Sequence, residues 1–285
     1  MLQPSLRTMK QLQTLRFLCE IRAMNRDSRL AMKLQQTLSF SRLLLHTDKA
    51  PAIFWPGCAL MSLEPQLLYR SCELLKRMEP QLGFCSACCG QPSRYLFPEK
   101  FARQQKLLLR ELKAKGVERI YTACPNCETE LSRLGPFQVE AIWPALVKVL
   151  HKSDVVERTG EILALHDPCP QRNRQDIQEA TRELIRLTGA QVYEVARSRD
   201  KTLCCGNKGM KKTLDPQMAA RIRHERLKDF PPELPITACC QGCLGSFAAE
   251  GRCTLHLLEV LFGPSSSPSW GNRLKFSRDI KSHKK

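Results

Sequence analysis

Ten of the fifteen cysteines in this 285-residue chain fall into one pattern that is written twice. The first copy runs Cys58, Cys88-Cys89-Gly90 and Cys124-Pro125-Asn126-Cys127. The second runs Cys169, Cys204-Cys205-Gly206 and Cys240-Gln241-Gly242-Cys243. Residues 88, 89, 90, 124 and 127 each recur after 116 positions, whereas the leading cysteine recurs after 111. A constant offset over so many positions marks an internal duplication, so the chain must build two units of one kind. A single five-residue length difference in the loop after the leading cysteine accounts for the exception.

The spacing has a physical reading. A Cys-x-x-Cys at a strand-to-helix turn converges two thiolates on one metal or cluster edge, and the helix N-terminus lowers their pKa. Neighbouring cysteines in a regular strand or helix point apart, but a Cys-Cys-Gly turn can aim both inward because glycine relaxes the backbone. The lone cysteine follows Pro56-Gly57 in one copy and Asp167-Pro168 in the other, turn sequences just past a strand. Open α/β sheets place their sites at such strand ends. Each copy therefore brings five thiolates from three loops. Structural zinc needs four ligands and an ordinary cubane cluster takes four thiolates. A fifth fits a larger or opened cluster, or a spare thiol kept for redox chemistry.

Short apolar runs at 53–55, 120–122, 162–166, 192–195 and 236–238 read as buried strands, and 64–78, 101–115, 176–188 and 215–228 have helical spacing. This alternation predicts an α/β fold: two pseudo-symmetric strand–helix repeats with short parallel sheets, preceded by an N-terminal helical region. The expected divisions are a basic helical region over 1–50, cysteine-rich repeats over 51–152 and 153–264, and a basic disordered tail over 265–285. Two helices are expected within 9–46, with apolar faces from Leu12, Leu15, Leu18 and Ile21, then from Leu34, Leu38 and Leu45.

No apolar run approaches the ~18–20 residues that span a bilayer, and charges interrupt residues 1–25 too often for a secretory signal. The expected location is cytoplasmic, where thiols stay reduced and clustered cysteines point to metal or redox chemistry. Of the net charge of +17, residues 1–50 and 265–285 hold +11. Those ends read either as solvated surface or as docking sites for an acidic protein or an anionic membrane. No nucleic-acid recognition motif accompanies them.

The doubled Cys…Cys-Cys-Gly…Cys-x-x-Cys signature resembles the cysteine-rich (CCG) domain of heterodisulfide reductase. Related domains occur in the iron–sulfur subunits of glycolate, lactate and glycerol-3-phosphate oxidising enzymes. Trp55-Pro56-Gly57-Cys58, His166-Asp167-Pro168-Cys169, Thr122-Ala123-Cys124-Pro125-Asn126-Cys127 and Cys204-Cys205-Gly206-Asn207-Lys208-Gly209 share the family's wording, and the likeness covers about residues 52–262. The resemblance implies a non-cubane [4Fe-4S] cluster at each motif. Carried over, Cys58, Cys88, Cys89, Cys124 and Cys127 hold the first cluster, and Cys169, Cys204, Cys205, Cys240 and Cys243 the second. It further implies an oxidoreductase subunit that reduces a disulfide or transfers electrons. Fused relatives carry ferredoxin-like cysteine runs ahead of the repeat, where this chain has only Cys19. The expected partner is therefore a ferredoxin-like or flavoprotein electron-transfer subunit, with peripheral membrane association through the basic ends as a further option.

Two other functions stay open from sequence: an electron-transfer subunit of a flavin dehydrogenase complex without its own substrate site, and a zinc-binding interaction module, with zinc at one site. Cys72 and Cys253 read as buried structural thiols. Cys85 and Cys239, close to the motifs, are alternative ligands or substrate-facing thiols. His166 is a candidate hydrogen-bond donor to a cluster sulfur or a proton donor. His256 reads as a packed helix residue, and Lys208, Lys211 and Lys212 as groups able to attract an acidic substrate.

Overall fold

The computed structural model describes residues 29–41, 44–265, 269 and 271–276. The first expected N-terminal helix, with Leu12, Leu15, Leu18, Ile21 and Cys19, lies outside them, as do Trp270 and residues 277–285. Two four-stranded sheets organise the chain. The first contains β1 (Ala52–Trp55), β2 (Gly83–Phe84), β3 (Arg119–Thr122) and β4 (Gln138–Ala141), in the order β2-β1-β3-β4. The second contains β5 (Ile162–Leu165), β6 (Gln191–Tyr193), β7 (Ile236–Ala238) and β8 (Thr254–His256), in the order β6-β5-β7-β8. Every pairing is parallel, so the two halves repeat one topology.

With the first half go α1 (Arg29–Ser39), α2 (Pro65–Leu75), α3 (Gln91–Leu96), α4 (Pro98–Ala114), α5 (Pro125–Leu131) and α6 (Ile142–Val149). With the second go α7 (Gln175–Leu187), α8 (Lys211–Leu214), α9 (Pro216–Leu227), α10 (Gln241–Ala248) and α11 (Leu257–Phe262). Pro65, Pro98, Pro125 and Pro216 each open a helix, where the missing N–H costs nothing and φ is already set.

The strands alternate between two buried faces. In β1, Ala52 and Phe54 join one apolar cluster, while Ile53 and Trp55 join another with Leu108 and Leu112 of α4. The cluster that takes Phe54 also takes Leu163 and Leu165 of β5, and it runs through Leu68, Leu146, Leu184 and Leu258. Helices α2, α6, α7 and α11 thus pack on one another and fuse the two sheets through one shared core. Each fully buried Leu or Phe in it contributes about 1.5–3 kcal/mol relative to exposure.

Three features depart from the expectations. Strands β2, β4 and β8 carry too little apolar pattern to be recognised, since β2 is two residues long and β4 reads Gln-Val-Glu-Ala. Helix α1 buries Ala31, Gln36 and Ser39 rather than a leucine face; Leu34 and Leu38 are only half-buried. Residues 271–276, expected in a disordered tail, are helical, and Phe276 is fully buried against Tyr69 (ring centroids 5.1 Å apart) and Phe84 (4.7 Å). The gain from covering an aromatic ring outweighs the basic, polar composition around it. Among the described residues no helix is long and apolar enough to cross a membrane.

Candidate functional site

All ten motif cysteines lie beyond the C-terminal ends of the strands, eight in loops and turns and Cys127 and Cys243 in the first turns of α5 and α10. Cys124 caps α5 directly after β3, and Cys240 caps α10 directly after β7. Cys58 follows β1, Cys169 opens a short 3-10 turn (Cys169–Gln171) after β5, and each Cys-Cys-Gly turn precedes a helical segment. Gly57 makes the first convergence possible. Its φ is +92°, and a Cβ there would sit 2.7 Å from the Cβ of Cys124 and 3.3 Å from the Sγ of Cys127. Only glycine lets the loop of Cys58 come so near the Cys-x-x-Cys pair.

The sulfurs of each half form a string of neighbours in the same order. Cys58 meets Cys88 (Sγ–Sγ 3.6 Å), Cys88 meets Cys89, Cys89 meets Cys127, and Cys127 meets Cys124. In the second half Cys169, Cys204, Cys205, Cys243 and Cys240 follow the same path. Within each string the bonds push the thiols apart in acidity. S–H donation from Cys127 and Cys88 brings Cys89 down to about 6, against burial. The bond with Cys88, then burial, pushes Cys58 up. Cys204 is held well below the usual thiol range by Cys169 and Cys205, helped by the backbone N–H groups of Lys208 and Gly206. Each string therefore contains one sulfur more acidic than its neighbours.

Two cavities open onto these strings. The first, about 150 Å³, is lined by Cys58, Cys89, Cys124 and Cys127 together with Met32 and Gln35 of α1. The second, about 40 Å³, is lined by Cys169, Cys205, Cys243 and Lys208. They share Gln91, Asn126, Asn207, Met210, Cys240 and Gly242, so the two thiol sets face a common wall between the halves. Among the described residues no carboxylate lines either cavity. Nor do any three described His, Cys, Asp or Glu side chains surround one metal-ion position; the thiols are strung along the cavities instead.

The model of the family described as "Cysteine-rich domain" (CCG) matches residues 52–132 and 163–248. The chain belongs to the cysteine-rich (CCG) domain family. It is 23% identical over 233 residues to a subunit of the dihydromethanophenazine:CoB–CoM heterodisulfide reductase from Methanosarcina mazei, covering 74% of this chain and 56% of that one. It is 23% identical over 238 residues to a glycolate oxidase iron-sulfur subunit from Escherichia coli, covering 75% and 58%. An EtfAB:quinone oxidoreductase from Syntrophomonas wolfei is 24% identical over 208 residues, covering 64% of this chain and 29% of its own length. The chain thus spans little more than half the length of the first two, and less of the third.

Around the second CCG motif, buried ion pairs that the sequence did not disclose hold the loops. Asp167 accepts both terminal nitrogens of the fully buried Arg182 at 2.9 Å, and Arg182 also reaches Glu194 at 2.5 and 2.8 Å. Thr202 donates its hydroxyl to the Asp167 carbonyl at 2.7 Å, tying the Cys169 loop to the approach to Cys204. His166 is buried, with Nδ1 accepting from Arg226 Nη2 at 3.1 Å. Burial, then the Arg226 charge, pushes its pKa down to about 3, so the ring is neutral at pH 7. The proton then sits on Nε2, which has no partner among the described residues. It is a buried donor, and the Cys204 thiolate is among the charges that act on the ring.

The remaining cysteines of the CCG chain separate clearly. Cys85 is fully buried against Thr47 Oγ1 at 3.4 Å, and burial pushes it up to about 12. Cys72 is half-buried and pushed up to about 11 by desolvation. Cys239 is buried and donates to Gln171 Oε1 at 3.3 Å. Cys253, expected to be buried, is exposed, because it lies in the turn before β8 rather than on a packed face. His256 caps α11, its Nδ1 accepting the Leu258 N–H at 3.2 Å. Lys208 lines the second cavity; Lys211 and Lys212 begin α8, exposed and half-buried.

Proposed function

We propose that this CCG-domain chain is an iron–sulfur electron-transfer subunit of an oxidoreductase, holding one cluster at each five-thiol string. The observation that carries the reading is the repetition of one neighbour order, five sulfurs long, at the ends of two equivalent sheets. Cys58, Cys88, Cys89, Cys124 and Cys127 are assigned to the first cluster, and Cys169, Cys204, Cys205, Cys240 and Cys243 to the second. The donor sets fit such a group: they are all sulfur, they arrive from three loops, and the described walls carry no competing carboxylate. Five thiolates, rather than the four of a cubane, favour a non-cubane [4Fe-4S] form.

A bound iron–sulfur cluster supplies reversible one-electron storage in a site largely closed to water. The chain's own residues prepare that site. The Gly90 N–H points to Cys88 Sγ at 3.4 Å and the Gly206 N–H to Cys204 Sγ at 3.3 Å, each favouring the thiolate. His166 offers a buried Nε2–H that has no partner among the described residues. The relatives named for an iron-sulfur subunit and for a quinone oxidoreductase fit this reading, with a ferredoxin-like or flavoprotein partner in the cytoplasm.

A second reading, reduction of a disulfide between the two sites, draws on the wall they share and on the heterodisulfide reductase relatives. The decisive experiment is anaerobic purification with iron, sulfide and zinc analysis and an EPR spectrum. About eight iron and eight sulfide per chain support two four-iron clusters. One or two zinc per chain, with little iron after anaerobic reconstitution, would replace the redox reading with a zinc module.

A further inference from the structure

The two halves of the chain do not treat equivalent cysteines alike. Cys204 accepts the Gly206 N–H of its own loop at 3.3 Å, and the backbone N–H of Lys208 further favours its thiolate. Its counterpart Cys88 accepts the N–H of Gly90 at 3.4 Å. Counting back 116 positions from Lys208 gives Pro92, which has no N–H to offer. The first half therefore lacks, within its own loop, the second donor that the second half possesses.

That place is taken by a residue from outside both matched repeats. Gln36 of α1 is fully buried, and its Nε2 lies 3.6 Å from Cys88 Sγ. The Ser93 hydroxyl donates to Gln36 Oε1 at 3.1 Å; that oxygen also accepts the Cys88 thiol at 3.8 Å, but a thiolate there can only accept, and then only from Nε2. Ser93 stands where the second half has Gly209, so Pro92-Ser93 replaces Lys208-Gly209 as a unit. One residue removes a backbone donor and the next orients its substitute.

We propose that Gln36 is a positioning residue for the first cluster site, supplying to Cys88 the N–H that Pro92 cannot. The inference rests on the cluster reading above. A donor to a cluster thiolate stabilises the reduced, more negative state, so its loss lowers that site's potential. Helix α1 thereby becomes part of one site and not of the other, which gives two duplicated centres separately adjustable potentials.

The test is an EPR-monitored redox titration of the full chain after anaerobic reconstitution, with iron content measured beside it. In Gln36→Leu one centre should fall in potential so that its oxidised-to-reduced ratio at fixed poise rises about tenfold, or about 59 mV for one electron. The other centre should not move. Adding Pro92→Ala, which restores a backbone N–H, should recover most of the shift, and Pro92→Ala alone should raise the same centre. Two unchanged potentials in Gln36→Leu, or a shift that Pro92→Ala leaves in place, overturn the inference. If Gln36→Leu does not fold or loses the centre, Pro92→Ala alone decides: a rise supports the donor role and no change overturns it. A wild-type chain that takes up no iron sinks the parent reading and this inference together, an outcome distinct from the others.

Discussion

Gln171, on the turn that begins with Cys169, donates its side-chain amide to the carboxylate of Glu128, the residue after Cys127, at 2.9 Å. Gln171 also accepts the Cys239 thiol at 3.3 Å, and Arg174 reaches the other oxygen of Glu128. Groups adjacent to Cys127, Cys169 and Cys240 are thus joined across the boundary between the halves. Both cysteine-bearing loops are held against one buried carboxylate, which fixes the separation of the two thiol sets without touching a sulfur of either. Cys239 takes its place here as a hydrogen-bond donor within this tie, and burial keeps it protonated.

Glu128→Ala removes the acceptor that Gln171 and Arg174 share. Leaving a buried amide unsatisfied costs about 1–3 kcal/mol, so urea unfolding should show that loss with an unchanged slope. A midpoint equal to wild type would mean that the tie contributes nothing.

Cys205→Ser should empty the second site and leave the first, because each string is closed on its own five sulfurs. Iron and sulfide per chain should fall by about half, and one set of EPR signals should remain. Cys253→Ser, at an exposed position outside both strings, should keep full iron content. Retention of all the iron in Cys205→Ser would show that the ligand assignment is wrong.

Phe276→Ala should cost about 3–5 kcal/mol, the range for deleting a buried aromatic ring. The ring seals the first half between Tyr69 and Phe84. Thermal unfolding measures this directly, and a stability within error of wild type would remove the C-terminal helical segment from the folded core.

His256 is neutral in the fold, since burial pushes its pKa from about 6.5 to about 3. The unfolded chain binds the proton more readily, so this group's stabilisation is complete above about 6.5 and is lost as pH falls toward 3. His256→Asn keeps a capping acceptor for α11 but does not titrate. In chelator-treated, reduced protein, the stability difference between pH 7 and pH 5 should shrink by up to about 2 kcal/mol. An unchanged difference would assign the acid sensitivity to other groups.

Much of this was legible before folding. The offset of 116 between the motifs announced two like units, and strand–helix alternation announced parallel sheets; β1, β3, β5, β6 and β7 lie where the apolar runs predicted. Such features are local, set by period, by proline at helix starts and by cysteines in turns, so they survive in one dimension. The edge strands β4 and β8 did not announce themselves, because at four and three residues they are too short for their alternation to stand out from the background.

What the tertiary structure alone decided concerns residues whose partners are far away along the chain. Gln36 lies 52 positions from Cys88, and nothing in the composition of α1 distinguishes a glutamine in water from one buried on a sulfur. Arg182 and Asp167 are likewise 15 positions apart, and only the packing of α7 pairs them in the interior. Phe276 sits in a basic, polar stretch that predicts disorder, yet one ring finds a slot between Tyr69 and Phe84. The sequence by itself grouped the cysteines into the two neighbour strings, since the spacing of cysteines in turns is a local property. The common wall of the two sets, and the contact of Gln36 with Cys88, came from packing, because burial of a polar side chain is settled by the three-dimensional partner that satisfies it.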